Sequence, residues 1–425
     1  MTLATYRALL ANNPNFRRLW FAQIVSELGD WFYSVAIYSF LLETTGSALS
    51  VATAFVMQVL PQTLASPLAG VLNDRLSRRK VMLFADFARA FIVAAMLLVR
   101  TRDMAWLLFV LLFLETVMWA LFEPGRSAVI AVITKDEQTL AANALSATTW
   151  SVNFALGTAI GGVATAFLGR DAVFVFNSLS FVLSGLLILR MRFPEPHLAG
   201  APPLRPRDLV DFSPVADGLR YVRTDSRLAA TMMVKGGLGL LGANWVILPL
   251  FGERVFPVRL EGLTSAQAAS LGMSVLLGSR GVGSVLGAFG STFVSGGDSA
   301  RMRRLIWVGF GLAGAGYLLL GVAANVWLAA LSLVLAHAGG SAIWTQSSSL
   351  LMRMTEDRFR GRVFSAEFAL SMFTLSLASY AAGLASDAGV GIRTVAIASG
   401  IVMLLPGAGW LAAQRLWRGE AGRAG

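Results

Sequence analysis

From Leu305 to Met352 the chain runs for 48 residues without an Asp, Glu, Lys or Arg. A helix crosses the hydrocarbon core of a bilayer in about 20 residues. The stretch is therefore too long for one crossing, and "AANVW", near Asn325, is the place for a tight turn between two. Similar runs recur along the whole chain. They give twelve candidate helices, near 19–42, 48–73, 81–100, 104–126, 140–168, 172–190, 228–252, 268–294, 304–324, 326–352, 362–386 and 393–414. Only 14% of residues are charged, against about a quarter in soluble domains. The expected fold is an all-α membrane protein of twelve transmembrane helices in two six-helix halves, residues 1–190 and 228–425. The halves are joined by a linker, 191–227, rich in proline and charge, with one short amphipathic helix near Pro214 to Val222.

The net charge of +11 could point to nucleic acid, but its distribution argues otherwise. With both termini and every even-numbered loop on one side, that side holds 26 basic residues and the other holds six. Arg89, Lys235 and Arg280 lie within helices, completing the 35. Basic loops stay in the cytoplasm, so the linker around Arg207 and the segment around Arg423 are expected there. The charge is topological, and no nucleic-acid partner is expected. Arginine outnumbers lysine 32 to 3, which hints at a GC-rich bacterial gene and so at the bacterial cytoplasmic membrane. No small-residue cleavage site follows the first apolar run, so it does not read as a cleaved leader. With no cysteine there is no disulfide or thiolate metal site, and no metal or cofactor is expected.

Two pairs of echoes suggest an internal repeat. "GGVATAFLGRDAVF" resembles "AGLASDAGVGIRTV", and "RRKVML" resembles "RRLIWV", at matching places in the two halves. Paired repeats are common in secondary transporters. "GLGLLG", Gly237 to Gly242, matches G-x-G-x-x-G but lies in an apolar helix with no preceding strand. It reads as helix packing, not a dinucleotide loop.

The turn "GVLNDRLSRRK" places five charges within seven residues, after thirty with none. It resembles motif A of the major facilitator superfamily at Gly70, Asp74, Arg75, Arg79 and Lys80, with Ser77 where that motif usually has glycine. The resemblance implies a gate, in which Asp74 pairs across a helix seam and Glu123 and Arg126, at the inner end of the fourth helix, complete the latch. A positive-inside anchor is the plainer alternative. "NPNFRRLWFAQIVSELGDWFYSVAI", "FEPGRSAVIAVITKDEQTLAANAL" and "RFRGRVFSAEFALS" resemble the macrolide-efflux and siderophore-export branch of that superfamily. "NFALGTAIGG" resembles its antiporter motif at Gly157, Gly161 and Gly162, with Thr158 in place of proline. Close helix packing would explain these glycines equally.

Ionisable groups within a membrane are costly and usually face a cavity or a partner. Here they are Glu27, Asp30, Asp86, Arg89, Glu115, Glu123, Lys235, Arg280, His337 and Glu367. Asp86 and Arg89, three apart on one helix, can neutralise each other. At about 1.5 Å of rise per residue, Asp30, Glu115, Arg280 and His337 fall near mid-membrane, where carriers place their sites. A carboxylate removed from water can take up and release a proton near neutral pH. Asp30 is the first candidate for proton coupling, with Glu27 and Glu115 behind it. Glu115 and Arg280, on opposite halves, could pair or hold a charged substrate. Lys235 and His337 are weighed both as ligands and as satisfied polar groups. Trp31, Trp119, Phe122, Trp150, Trp245 and Trp344 are candidates to line a cavity for amphiphiles.

These readings lead to a carrier that exports a small amphiphilic molecule, drug-like or a siderophore, in exchange for protons. Its expected partners are that substrate, protons and membrane lipid, and carriers of the family it resembles act as monomers. A lysophospholipid flippase and a non-transporting sensor of the same fold are the alternatives. An enzyme is not expected, because only His197 and His337 are available and no G-x-S-x-G motif is present.

Overall fold

Pro14 opens the first long helix, and its missing N–H is no loss at a helix start. In the computed structural model, which describes residues 3–202, 208–209 and 211–417, a short α1 (Leu3–Asn12) leads into α2 (Pro14–Thr45). The Asn13 side chain accepts from the Phe16 amide, capping α2. The polar residues of "NPNFRR" then serve other helix ends, whose last carbonyls have no partner of their own. Asn13 donates to the carbonyl of Ile133, Asn15 to that of Arg192 and Arg18 to that of Arg190, at 2.6–2.9 Å.

The second span is α3 (Ala48–Leu64) and α4 (Ser66–Arg75), bent by 49° where Pro67 denies the helix an amide. Then come α5 (Arg78–Ala95) and α6 (Ala105–Ile133). The helix α7 (Asp136–Leu189) has 54 residues, about 80 Å at 1.5 Å per residue, too long for one crossing. It breaks at Gly169, where φ is +80° and ψ 165°, a conformation only glycine adopts at low cost. The two arms of α7 are separate spans.

After the linker come α8 (Ser213–Val222), the amphipathic helix foreseen there, and α9 (Ser226–Gly239). Asp225 caps α9, and hydrogen bonds from Arg227 hold its carboxyl below the usual carboxylate range. A tight turn at Leu240–Ala243 joins α9 to α10 (Asn244–Leu250), which ends in a wide turn at Phe251–Val255. Together they form one irregular span. The rest are α11 (Ser265–Ser295), α12 (Ser299–Val322), α13 (Val326–Met354), α14 (Asp357–Asp387) and α15 (Ile392–Ala413). Asn325 caps α13 through the amides of Trp327 and Leu328, so the turn sits where the sequence places it.

Among the described residues, nine helices are long and apolar enough to cross a membrane, or ten with the bent pair. Twelve segments are expected from the sequence; among the nine, α7 is counted once although it breaks at Gly169, and α2, which carries Glu27 and Asp30, is not among the helices counted. No strand occurs among the described residues. Several ends differ from expectation. The helix α6 runs on to Ile133, so Glu123 and Arg126 lie inside it and not at its end. Arg207 and Arg423 fall outside the described residues.

The chain forms two compact units, 1–45 with 57–211 and 46–56 with 212–425. Residues 46–56, the start of α3, thus pack with the second unit. In the first, α2 lies along both arms of α7 and glycines set the approach. A Cβ on Gly161 would meet the Phe32 backbone at 2.6 Å, and one on Gly157 would meet Trp31 Cβ at 2.5 Å. Gly162 is buried beside them. In the second, the glycines of "GLGLLG" pack likewise, with Gly242 against the backbone of Leu375 and Gly237 against Pro406.

Candidate functional site

Along α2, the polar residues Gln23, Glu27 and Asp30 recur at spacings of four and three, which puts them on one face. That face turns into the first unit. Arg89 from α5 reaches it, with Nη1 3.9 Å from Asp30 Oδ2. Its other terminal nitrogen holds Asp86, as their spacing of three suggests. Asp86 also accepts from Ser184 Oγ at 2.7 Å. Arg89 is 1% exposed, with its guanidinium over the rings of Phe122 (4.7 Å) and Phe181 (4.2 Å). Those faces attract a cation. Phe122, considered as a cavity wall, is instead buried against this arginine.

Glu115 of α6 is buried and accepts from Tyr33 Oη at 3.2 Å. Glu27 accepts from Gln23 at 2.9 Å and from Asn153 at 3.1 Å. Gln23 in turn accepts from Arg126 at 3.1 Å, and Arg126 pairs with Glu123. The three expected coupling acids therefore lie on one polar file within the first unit. Arg89, Tyr33, Gln23 and Asn153 belong to it too, and sequence reading gave none of them this role. For Gln23 the spacing on α2 was the available signal. Asp30 Oδ1 is buried without a hydrogen bond of normal geometry. Beside the file, Trp31 meets Phe154 edge-on at 4.5 Å and Trp150 at 5.9 Å, while Trp119 is half-buried on α6.

The remaining candidates fall in the second unit, in separate places. Lys235 Nζ pairs with Glu367 Oε2 at 2.9 Å and lies 4.0 Å from the Trp344 ring centre. The Arg280 guanidinium sits 3.8 Å over Trp245, whose ring stacks on Phe55 at 4.7 Å. His337 Nε2 is 3.1 Å from Tyr317 Oη, and both residues are buried. That bond accounts for His337 without a ligand. Glu115 and Arg280, weighed as a pair, each have these partners within their own unit.

The basic turn after α4 is tied to its surroundings differently from the expected latch. Asp74 is exposed and pairs with Arg78 at 3.8 Å, while Glu123 and Arg126 pair with each other deeper in α6. Arg75 pairs with Asp208 of the linker at 2.6 Å, and Arg79 donates to the carbonyls of Ile188 and Leu189. Lys80 is exposed, and a Cβ on Gly70 would meet nothing within 4 Å. Ser77 has φ −60° and caps α5, so this turn has no need of a glycine there.

The chain has counterparts in sequence and in fold among known proteins. The uncharacterized MFS-type transporter YkuC of Bacillus subtilis is 28% identical over 275 residues, 63% of this chain and 64% of YkuC. Macrolide efflux protein A of Streptococcus pyogenes is 26% identical over 182 residues, 42% of this chain and 45% of that protein. The matched stretch thus spans less than two thirds of either relative. In fold, the nucleoside transporter NupG (D323A mutant) superposes with a TM-score of 0.75 over 94% of this chain and 99% of NupG, at 12% identity. Residues 6–421 match the family of transmembrane secretion effectors, MFS_3. The chain belongs to that family of major facilitator transporters and has their all-helical, multi-pass fold.

Proposed function

We propose that this protein exports a small amphiphilic molecule, drug-like or a siderophore, by proton antiport through alternating access. The observation that carries the reading is the buried cluster of Asp30, Asp86, Glu115 and Arg89. Asp86 is committed to Arg89 by a direct ion pair, Asp30 approaches the same guanidinium at 3.9 Å, and the buried Glu115 is held by Tyr33. Buried charge without a counter-charge is costly, so Asp30 and Glu115 are the groups free to exchange protons as the site opens and closes. Glu27, one turn from Asp30, links them to the Gln23–Arg126–Glu123 file. Trp31 and Trp150 offer apolar surface beside the cluster, suited to an amphiphile. The resemblance to a macrolide efflux protein supports the direction of transport. The positive-inside count supports cytoplasmic termini and linker.

The test is reconstitution in liposomes holding a pH-sensitive dye, with macrolides, catecholate siderophores and lysolipids as separate arms. Movement of a macrolide or siderophore with an opposing proton flux is the expected result. Substrate movement with no change in internal pH overturns proton antiport, and movement of lysolipid alone would make the protein a lipid flippase.

A further inference from the structure

The second unit holds one buried ion pair that the coupling cluster does not use, Lys235 of α9 with Glu367 of α14. Their side chains are 5% and 1% exposed. In charge the pair is balanced and needs neither proton nor counter-ion. In hydrogen bonding it is incomplete. Glu367 Oε2 faces Lys235, but Glu367 Oε1 is buried with no hydrogen-bond partner. An ammonium has three donors and an ionised carboxylate only accepts. One Lys235 donor goes to Glu367, and the Trp344 face takes the ammonium's other flank. An unused acceptor therefore lies beside an ammonium with donor capacity to spare. Buried polar atoms are nearly always paired, and leaving one bare is unfavourable.

We propose that Lys235 and Glu367, with Trp344 as their lid, form the recognition site for an uncharged carboxamide on the exported amphiphile. An amide N–H would donate to Glu367 Oε1 while its carbonyl accepts from Lys235 Nζ. A cation at Oε1 or an anion at Nζ would leave an uncompensated buried charge, whereas an amide adds none. Trp344 is 40% exposed, so its ring is the part of this site that a ligand meets first. An aromatic or alkyl body on the amide can pack along its open face. The proposal rests on the chain being an exporter of amphiphiles and names the group it recognises.

The experiment measures equilibrium binding to the full chain in lipid nanodiscs, with lipid partitioning subtracted using empty discs. The probes are 4-hexylbenzamide, methyl 4-hexylbenzoate, 4-hexylbenzoate and 4-hexylbenzyltrimethylammonium, which differ only in the polar group. The amide should bind about tenfold or more tighter than the ester or either ion, because only it fills both positions. The double variant Lys235→Met/Glu367→Leu removes both charges together, so no buried charge is stranded, and it should lose the amide's advantage. The exchanged variant Lys235→Glu/Glu367→Lys should keep a preference for amide over ester. Equal binding of amide and ester to the natural chain, or an undiminished preference in the double variant, overturns the proposal. Should the double variant not fold, a folded exchanged variant without the preference overturns it equally. No proton gradient enters this assay, so its failure leaves antiport standing.

Discussion

Arg89 Nη1 lies 3.9 Å from Asp30 Oδ2 while the same guanidinium grips Asp86, three residues earlier on α5. The two contacts differ in kind. Asp86 is fully buried and also bonded to Ser184, so it is a fixed partner. Asp30 is the looser one, with its side chain 20% exposed and one oxygen unbonded. A site that must gain and lose a proton needs a partner it can leave, and Asp30 is placed to leave Arg89 without stranding it.

Asp30→Asn is therefore expected to retain exchange or downhill flux of substrate while losing accumulation driven by a pH gradient. Glu27→Gln should have a smaller effect, since Gln23 and Asn153 already hold that carboxylate. Transport in liposomes with and without ΔpH measures both. Persistent ΔpH-driven accumulation by Asp30→Asn would remove Asp30 as the coupling acid and leave Glu115 next in line.

Arg89→Met should destabilise the fold by about 3–5 kcal/mol, the usual loss when one member of a buried pair is removed. Adding Asp86→Leu should restore much of that, because the second change removes the stranded charge. Thermal unfolding of the single and double variants in detergent gives the comparison. A double variant no more stable than the sum of its singles would show that Arg89 acts through the Phe122 and Phe181 faces, not through Asp86.

What the sequence revealed was whatever depends on neighbours in the chain. The turn at Asn325, the amphipathic helix at Ser213–Val222 and the Asp86–Arg89 pair are all local and were all readable. The end of the fourth helix was misplaced because "FEPGR" looks like a helix terminus. In the structure Arg126 finds Glu123 three residues back and Gln23 on another helix, so the charges are satisfied and α6 continues. The partners that define the site were not readable. Tyr33 meets Glu115 across 82 residues, and Lys235 meets Glu367 across 132. No periodicity links such positions, because the packing of distant helices decides which charges share a pocket.

The glycines offer a contrast within one family pattern. Gly161→Ala should cost about 1–3 kcal/mol, since its new methyl would meet the backbone of Phe32 at 2.6 Å, and backbone cannot turn aside. Gly70→Ala should instead stabilise by about 0.5–1 kcal/mol, because the position is inside α4 and nothing lies within 4 Å. Unfolding temperatures of the two variants decide it. Equal loss in both would mean that the α2–α7 contact is more compliant than its geometry implies.

Topology can be read directly because the chain has no cysteine. Lys80→Cys and Arg102→Cys are both at exposed positions, in the first turn of α5 and in the connection that follows that helix, ends assigned to opposite sides. An impermeant thiol reagent applied outside intact cells should label Arg102→Cys and spare Lys80→Cys. The reverse pattern would invert the orientation drawn from the 26-to-6 basic count.

The last expectation concerns Asp74, which is 77% exposed and held only loosely, 3.8 Å from Arg78. The arginine beside it is engaged with Asp208 at 2.6 Å, so the acid of this turn is available for a partner met in another conformation. If it serves as a latch, Asp74→Asn should slow transport severalfold without changing substrate affinity, since the coupling acids lie roughly 15 Å or more deeper, by helix rise. Flux in liposomes and Kd in nanodiscs, measured on the same preparation, separate the two effects. A loss of affinity as large as the loss of flux would instead make Asp74 part of the folded framework or of the binding site itself.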